Sequence, residues 1–186
     1  MDEKLSNFLE KGLFIAIVVF ILRVLLGFGI EILKCDTLYD FFGAAGEAVS
    51  LTTILLWLYN KFLWKINPFN KTPKYYGKYS GSIIFSKDGK NKNKHIDVTI
   101  EQTYLKINIK SITNEITSNS ITSSIVDENN ENVLYYIYIT NPQSRVSMNN
   151  PIQYGTCRIT QSEKGKLEGV YWTSRQTKGD IKLKKI

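Results

Sequence analysis

Two kinds of hydrophobic spacing divide the chain, continuous in its first third and alternating in the rest. From Gly12 to Leu33 the sequence reads GLFIAIVVFILRVLLGFGIEIL, 22 residues of which only Arg23 and Glu31 are charged. A helix of that length rises about 33 Å, enough to cross a hydrocarbon layer of roughly 30 Å. A second apolar stretch, from about Phe41 to Leu63, holds Glu47 as its one central charge. The first stretch is too long for a secretory leader and lacks a small-x-small cleavage site, so it is expected to stay attached. Beyond Asn67-Pro68, which is expected to close the second helix, the period changes to two. Ile96, Val98 and Ile100 alternate with Asp97, Thr99 and Glu101; Leu105, Ile107 and Ile109 alternate with Lys106, Asn108 and Lys110.

Strands are expected at 77–85, 96–101, 105–110, 116–126, 132–140, 154–161, 166–174 and 179–185, separated by turn-forming runs such as Lys87-Asp88-Gly89-Lys90, Asp127-Glu128-Asn129-Asn130, Asn149-Asn150-Pro151, Glu163-Lys164-Gly165 and Lys178-Gly179-Asp180. Their connections are too short for crossover helices. The expected architecture is a membrane α-helical hairpin plus an all-β module, a small up-and-down antiparallel β-barrel of about eight strands, since closure removes both exposed edges. The divisions follow: a two-helix anchor over 1–66, a linker over 67–75 and the barrel over 76–186. Ile116–Ile125 (ITSNSITSSI) carries Ser, Thr and Asn on both faces. It reads either as a polar edge strand or as a source of hydroxyls for a pocket.

Charge sets the orientation. Lys4 and Lys11 precede the first span and Lys61, Lys65, Lys71, Lys74 and Lys78 follow the second, while the turn Lys34–Asp40 holds one lysine and two aspartates. The positive-inside rule then puts both termini and the β-module in the cytoplasm and the turn outside. Trp57, Tyr59 and Trp64 supply an interfacial aromatic belt. The net charge of +7 suits either an anionic bilayer nearby or a phosphate-bearing ligand. Cys35 and Cys157 are expected on opposite sides of the membrane, which argues against a disulfide between them.

The informative charges within the spans are Arg23 and Glu47. A charge at mid-bilayer costs several kcal/mol unless paired or hydrated. The two lie at depths that permit a pair within one hairpin, or pairing between protomers around a wet path. Gly43, Glu47 and Ser50 share a face, as do Gly46, Ser50 and Thr53, a spacing that lets helices approach closely. In the β-module, Leu134, Tyr136, Tyr138 and Thr140 share a face, as do Leu167, Gly169, Tyr171, Thr173 and Arg175, and Gly77, Tyr79, Gly81 and Ile83. Rings that stack a base beside an Arg and hydroxyls for phosphate suit a nucleotide; the same tyrosines suit a small barrel that fills itself. No phosphate loop, nucleophile elbow or Cys/His metal spacing is present in the sequence, and His95 stands alone. The expectation is a binding protein, not an enzyme, with no cofactor and no metal.

The runs YYGKYSGSIIF (75–85), VTIEQTYLKINI (98–109), LYYIYITNP (134–142) and LEGVYWTSRQTKGDIKL (167–183), placed after a helical hairpin, resemble the two-transmembrane β-barrel effectors of CBASS, bacterial antiphage systems in which a CD-NTase makes a cyclic nucleotide signal. The resemblance spans essentially the whole chain. It implies a barrel that binds a cyclic dinucleotide, with Tyr79, Tyr136, Tyr138, Arg158, Tyr171, Thr173 and Arg175 as ligand-binding candidates. The alternation around Arg158 does not decide which face it joins. The resemblance further implies a two-pass protein of the bacterial inner membrane that homo-oligomerises on binding and disrupts the bilayer, with no nucleic acid polymer as partner; the residues themselves suggest Arg23 and Glu47, brought together, as the charges that act within the membrane. The rival expectation is a membrane-tethered lipocalin-like carrier or adaptor without a nucleotide ligand.

Overall fold

The computed structural model describes residues 3–27, 37–87, 90–148 and 150–186. Cys35, Glu31 and the end of the expected first span (28–33), together with Asp88-Gly89 and Asn149 of the expected turns, lie outside the described residues. The chain forms two compact units, residues 1–70 with 103–105, and residues 71–102 with 106–186.

The first unit is built on α1 (Glu3–Gly27) and α2 (Leu38–Lys61). Thr37 starts α2 with a capping box: its hydroxyl accepts from the Asp40 amide, and the Asp40 carboxylate accepts from the Thr37 amide. The helices pack antiparallel. Phe8 lies beside Tyr59, the Phe20 ring meets Phe41 edge-on at 5.1 Å, and a Cβ on Gly12 would stand 2.6 Å from Leu56 Cδ1. The α2 face turned inward is Ala44, Ala48 and Thr52, all buried, whereas Gly43, Gly46, Glu47, Ser50 and Thr53 are exposed. Small side chains at that spacing bring the two backbones close. Arg23 Nε donates to Glu47 Oε2 at 2.6 Å, so the two central charges meet within one hairpin. Among the described residues one helix, α2, is long and apolar enough to cross a membrane. The described part of α1 begins nine residues before the expected span and takes in Lys4, Glu10 and Lys11.

Asn67-Pro68 is expected to close α2, but the helix stops earlier, at Lys61, and Leu63–Lys65 tightens into a 3-10 turn that buries Trp64. Asn67 and Asn70 then fasten the turn, Asn67 Nδ2 donating to the Tyr59 hydroxyl and Asn70 Nδ2 to the Trp64 carbonyl.

The second unit is the barrel. Its strands are β1 (Gly77–Lys87), β2 (Lys90–Gln102), β3 (Ile107–Ile112), β4 (Ile116–Glu128), β5 (Glu131–Pro142), β6 (Tyr154–Glu163), β7 (Lys166–Thr173) and β8 (Lys178–Lys185). Each pairs antiparallel with the next, and β8 pairs with β1, closing the sheet in sequence order. The β4–β5 turn is a two-residue loop in which Asn129 and Asn130 adopt φ of 52° and 68°, the twist that a tight hairpin requires. Leu105 is no part of β3; its amide donates to Asn60 Oδ1 within the first unit.

Alternation sorts the barrel's interior. Tyr79 on β1, Ile96, Val98 and Ile100 on β2, Ile107 and Ile109 on β3, Leu134, Tyr136 and Tyr138 on β5, Cys157 and Ile159 on β6, Leu167 on β7, and Ile181 and Leu183 on β8 belong to one buried cluster. Tyr75, 1% exposed, seals the end where the linker enters: its hydroxyl donates to the Asn132 carbonyl and its amide to Gln102 Oε1. The expected polar edge strand has no edge to occupy. β3 and β4 pair only over Lys110–Ile112 and Thr117–Asn119, and serines bridge the rest of the seam. Ser120 Oγ accepts from the Ile109 amide, and Ser123 Oγ donates to the Ile107 carbonyl. The hydroxyls replace ladder bonds that a shorter β3 cannot supply.

Strongly curved strands leave no room for a Cβ at Gly169, which would stand 2.0 Å from the Arg158 carbonyl oxygen of β6. Gly169→Ala is expected to destabilise the barrel by about 1–3 kcal/mol, while Val170→Ala on the outer face changes it by under about 0.5 kcal/mol. Thermal unfolding of the two variants measures the difference.

Candidate functional site

In an up-and-down barrel, connections alternate between ends. The far end, opposite the linker, receives the connections β3–β4 (113–115), β5–β6 (143–153) and β7–β8 (174–177). Following each inward face from the linker end, aliphatic residues give way to hydroxyls. On β5 the series is Leu134, Tyr136, Tyr138, Thr140; on β7 it is Leu167, Gly169, Tyr171, Thr173; on β4, opposite Thr140, stands the buried Ser118. The lumen therefore has an apolar floor and a polar mouth.

Two tyrosine rings form the walls of that mouth, and glycines opposite them make room. Tyr138 pairs with Gly155, and a Cβ there would stand 2.3 Å from the ring's Cζ. Tyr171 pairs with Gly179, where a Cβ would come within 2.9 Å of the ring. Tyr136 lies one step deeper, its ring centroid 5.9 Å from that of Tyr138. Burial, reinforced by the nearby Cys157, raises Tyr138 above the ordinary phenol range and pushes Tyr171 up to about 12. Both rings are therefore neutral hydroxyl-bearing surfaces at physiological pH.

Two buried oxygens at this end have no hydrogen-bond partner, Thr173 Oγ1 and Gln153 Oε1. Gln153 is otherwise well held. Its amide donates to Thr140 Oγ1, its carbonyl accepts from the Thr140 amide, and its side-chain nitrogen donates to Asn150 Oδ1. A buried polar atom without a partner costs about 1–3 kcal/mol. Both atoms stand at the end where the hydroxyl-bearing side chains gather, and each has capacity for one more polar partner.

The seven candidates from the sequence separate into three groups. Tyr138, Tyr171 and Thr173 converge on the mouth, and Arg175 stands exposed in the β7–β8 turn above it. Tyr79 and Tyr136 sit deeper: the Tyr79 hydroxyl donates to the Tyr75 carbonyl, and Tyr136 shares a hydrogen bond with the buried Cys157 thiol. Arg158 faces outward. It pairs with Glu128 Oε2 at 2.8 Å and with the Tyr135 hydroxyl, because inward Cys157 and Ile159 on either side fix the alternation. Sequence reasoning did not single out Gln153, Ser118 or Lys94. Gln153 precedes its strand, where no periodicity gives a face, and Lys94 lies in a lysine-rich stretch that reads as solvated charge.

Residues 70–185 match the family model described as the Cap15 cyclic dinucleotide receptor domain. The chain is also 40% identical over 141 residues to CD-NTase-associated protein 15 of Staphylococcus schleiferi, an alignment covering 74% of this chain and 76% of that protein.

The buried phenols and thiol give a pH prediction. Tyr75, Tyr79, Tyr136, Tyr138, Tyr171 and Cys157 all hold their protons more tightly folded than unfolded, chiefly through burial. Their stabilisation is complete below the ordinary values of 9.0 for the thiol and 10.0 for the phenols, and is lost as pH climbs toward the folded values. Denaturant midpoints of the full chain in detergent are expected to fall steadily from about pH 9 upward, and a flat profile there contradicts the assigned burial.

Proposed function

The chain belongs to the Cap15 cyclic dinucleotide receptor family, and from that premise we propose that it is a CBASS effector whose barrel binds a cyclic dinucleotide at the polar end of its lumen. The observation that carries this reading is the pair of orphaned oxygens, Thr173 Oγ1 and Gln153 Oε1, at the same end of the barrel as Tyr138 and Tyr171. A nucleobase presents a π-face to a tyrosine and donors on its edge to a lone hydroxyl or amide oxygen, and stacking of this kind is worth about 1–3 kcal/mol per base. A purely apolar cargo leaves both oxygens unsatisfied, which counts against the lipocalin-like alternative.

The helices supply the output. The outer faces of α1 and α2 present Leu13, Phe14, Ile17, Leu22, Leu25, Phe42, Val49 and Ile54 without cover in the hairpin, as expected of side chains that meet lipid. The reading is a two-pass inner-membrane protein with a cytoplasmic barrel. Ligand binding shifts the population toward an oligomer by the ligand's differential affinity for it, and the assembled helices breach the bilayer. Arg23 and Glu47, neutralised by each other in the resting hairpin, are then available to re-pair between protomers and admit water.

Thr173→Val discriminates binding from a structural role. Removing an unpartnered hydroxyl is expected to leave the melting temperature unchanged or higher, yet to weaken cyclic dinucleotide binding by about tenfold in calorimetry on the full chain. Wild-type affinity in both Thr173→Val and Tyr138→Leu contradicts the site. For the output, Arg23→Leu and Glu47→Leu are expected to bind normally but release less dye from loaded vesicles on ligand addition. Undiminished release from both variants rules out a role for these charges.

A further inference from the structure

We infer that Lys94 is a phosphate ligand of the lumen and that Glu115 is its displaceable place-holder, so that an anionic ligand enters by substituting its own phosphodiester for one carboxylate. The inference rests on the cyclic dinucleotide reading above and names the group that meets the ligand's charge. The β2 register carries it. Lys94 lies on the same face as the buried Ile96, Val98 and Ile100 and opposite Ile83, which packs against the core. It therefore stands at the inward face of β2 on the approach to the far end, where the aliphatic lining stops.

Its ammonium donates to Glu115 Oε2 at 2.5 Å, from the β3–β4 connection. The two side chains are 40% and 37% exposed. An ion pair so wetted contributes little to stability, and the barrel's ladder does not pass through it. The hydrogen bond and charge of Lys94, with Arg145 adding from a distance, hold the Glu115 carboxyl below the usual range. The Glu115 carboxylate is thus held in its charged form by a partner on which a phosphate could replace it.

The backbone around Glu115 gives the exchange a consequence. The Gln143 amide donates to the Glu115 carbonyl, and the Gln143 and Arg145 side chains both donate to the Asn114 carbonyl. Residues 113–115 are in this way fastened to the start of the 143–153 connection, whose last residue is Gln153 with its orphaned oxygen. A ligand that displaces Glu115 from Lys94 disturbs the same connection that presents Gln153. Lysine suits this role better than arginine, being a compact charge on a flexible stem that can follow a phosphate without bidentate geometry. The resting pair also taxes affinity, since the competent state is reached only after Glu115 lets go.

The test is calorimetry on the full chain in detergent micelles with cyclic di-AMP, cyclic di-GMP, cyclic GMP–AMP and cyclic UMP–AMP. For whichever binds wild type best, Lys94→Met is expected to weaken binding at least about tenfold. Glu115→Gln, which keeps the shape and removes the charge, is expected to tighten it severalfold. The double variant is expected to bind like Lys94→Met alone. Unchanged affinity in Lys94→Met, or weaker binding in Glu115→Gln, overturns the inference. If Lys94→Met melts early, Glu115→Gln decides alone: tighter binding supports the exchange, and equal or weaker binding overturns it. Loss of binding in Tyr138→Leu with full binding in Lys94→Met overturns this inference and spares the site. A wild-type chain that binds none of the four overturns the reading beneath both.

Discussion

The closing pairing of β8 with β1, Gly179–Lys185 against Tyr79–Phe85, is the constraint on which the module depends. An open eight-stranded sheet would offer two edges and one continuous apolar face to solvent. Closure satisfies both edges at once and turns that face inward, where its side chains must share a lumen of fixed width. Everything inside is then a question of size. Gly155, where a Cβ would strike the Tyr138 ring, is a place where the lumen leaves no room for another carbon, and at Gly169 the neighbouring β6 backbone comes too close for one. The short β3 would breach the wall, and the Ser120 and Ser123 hydroxyls repair it without adding bulk.

A lumen sealed at one end and polar at the other is asymmetric in a useful way. Tyr75 and the aliphatic cluster fill the linker end, and the Tyr136 ring packed on them lies 5.9 Å from that of Tyr138. The mouth can then keep Thr173 Oγ1 and Gln153 Oε1 unsatisfied, because the packed floor supplies the stability that those orphans cost. Preorganised walls reduce the ordering that binding must impose, so a small pocket can hold a charged ligand whose own hydration has to be given up.

Much of this was legible in the sequence, and the parts that were not share a cause. Period-two alternation with turn chemistry at regular intervals located all eight strands and the meander, because both signals are local. It also grouped Tyr138 with Thr140 and Tyr171 with Thr173. Alternation alone defines two faces without saying which is inside; this decided Arg158, whose neighbours Cys157 and Ile159 are buried while Arg158 turns out to Glu128. Depth is equally invisible to a repeat, so Tyr79 and Tyr136 looked like Tyr138 although they belong to the floor. The end of α2 was misplaced because Asn67-Pro68 is a strong local stop, while burial of Trp64 turns the chain earlier. Lys94 and Gln153 become visible only when register and loops are brought to one end.

The helical unit obeys the same logic in a different solvent. α2 carries small residues on two faces, and the hairpin uses only one of them, Ala44, Ala48 and Thr52. Arg23 and Glu47 pair within one hairpin, so in the bilayer setting proposed here a single copy needs no neighbour to neutralise its central charges. Under the proposed function, that matters for a protein held inactive until a signal arrives. A hairpin with an unpaired Arg would be driven to assemble at once, since a lone charge at mid-bilayer costs several kcal/mol, whereas an internally paired one waits at little cost. Any assembly then has to gain from contacts beyond charge neutralisation. The exposed Gly43, Gly46, Ser50 and Thr53 on α2 allow the close backbone approach from which such contacts are made.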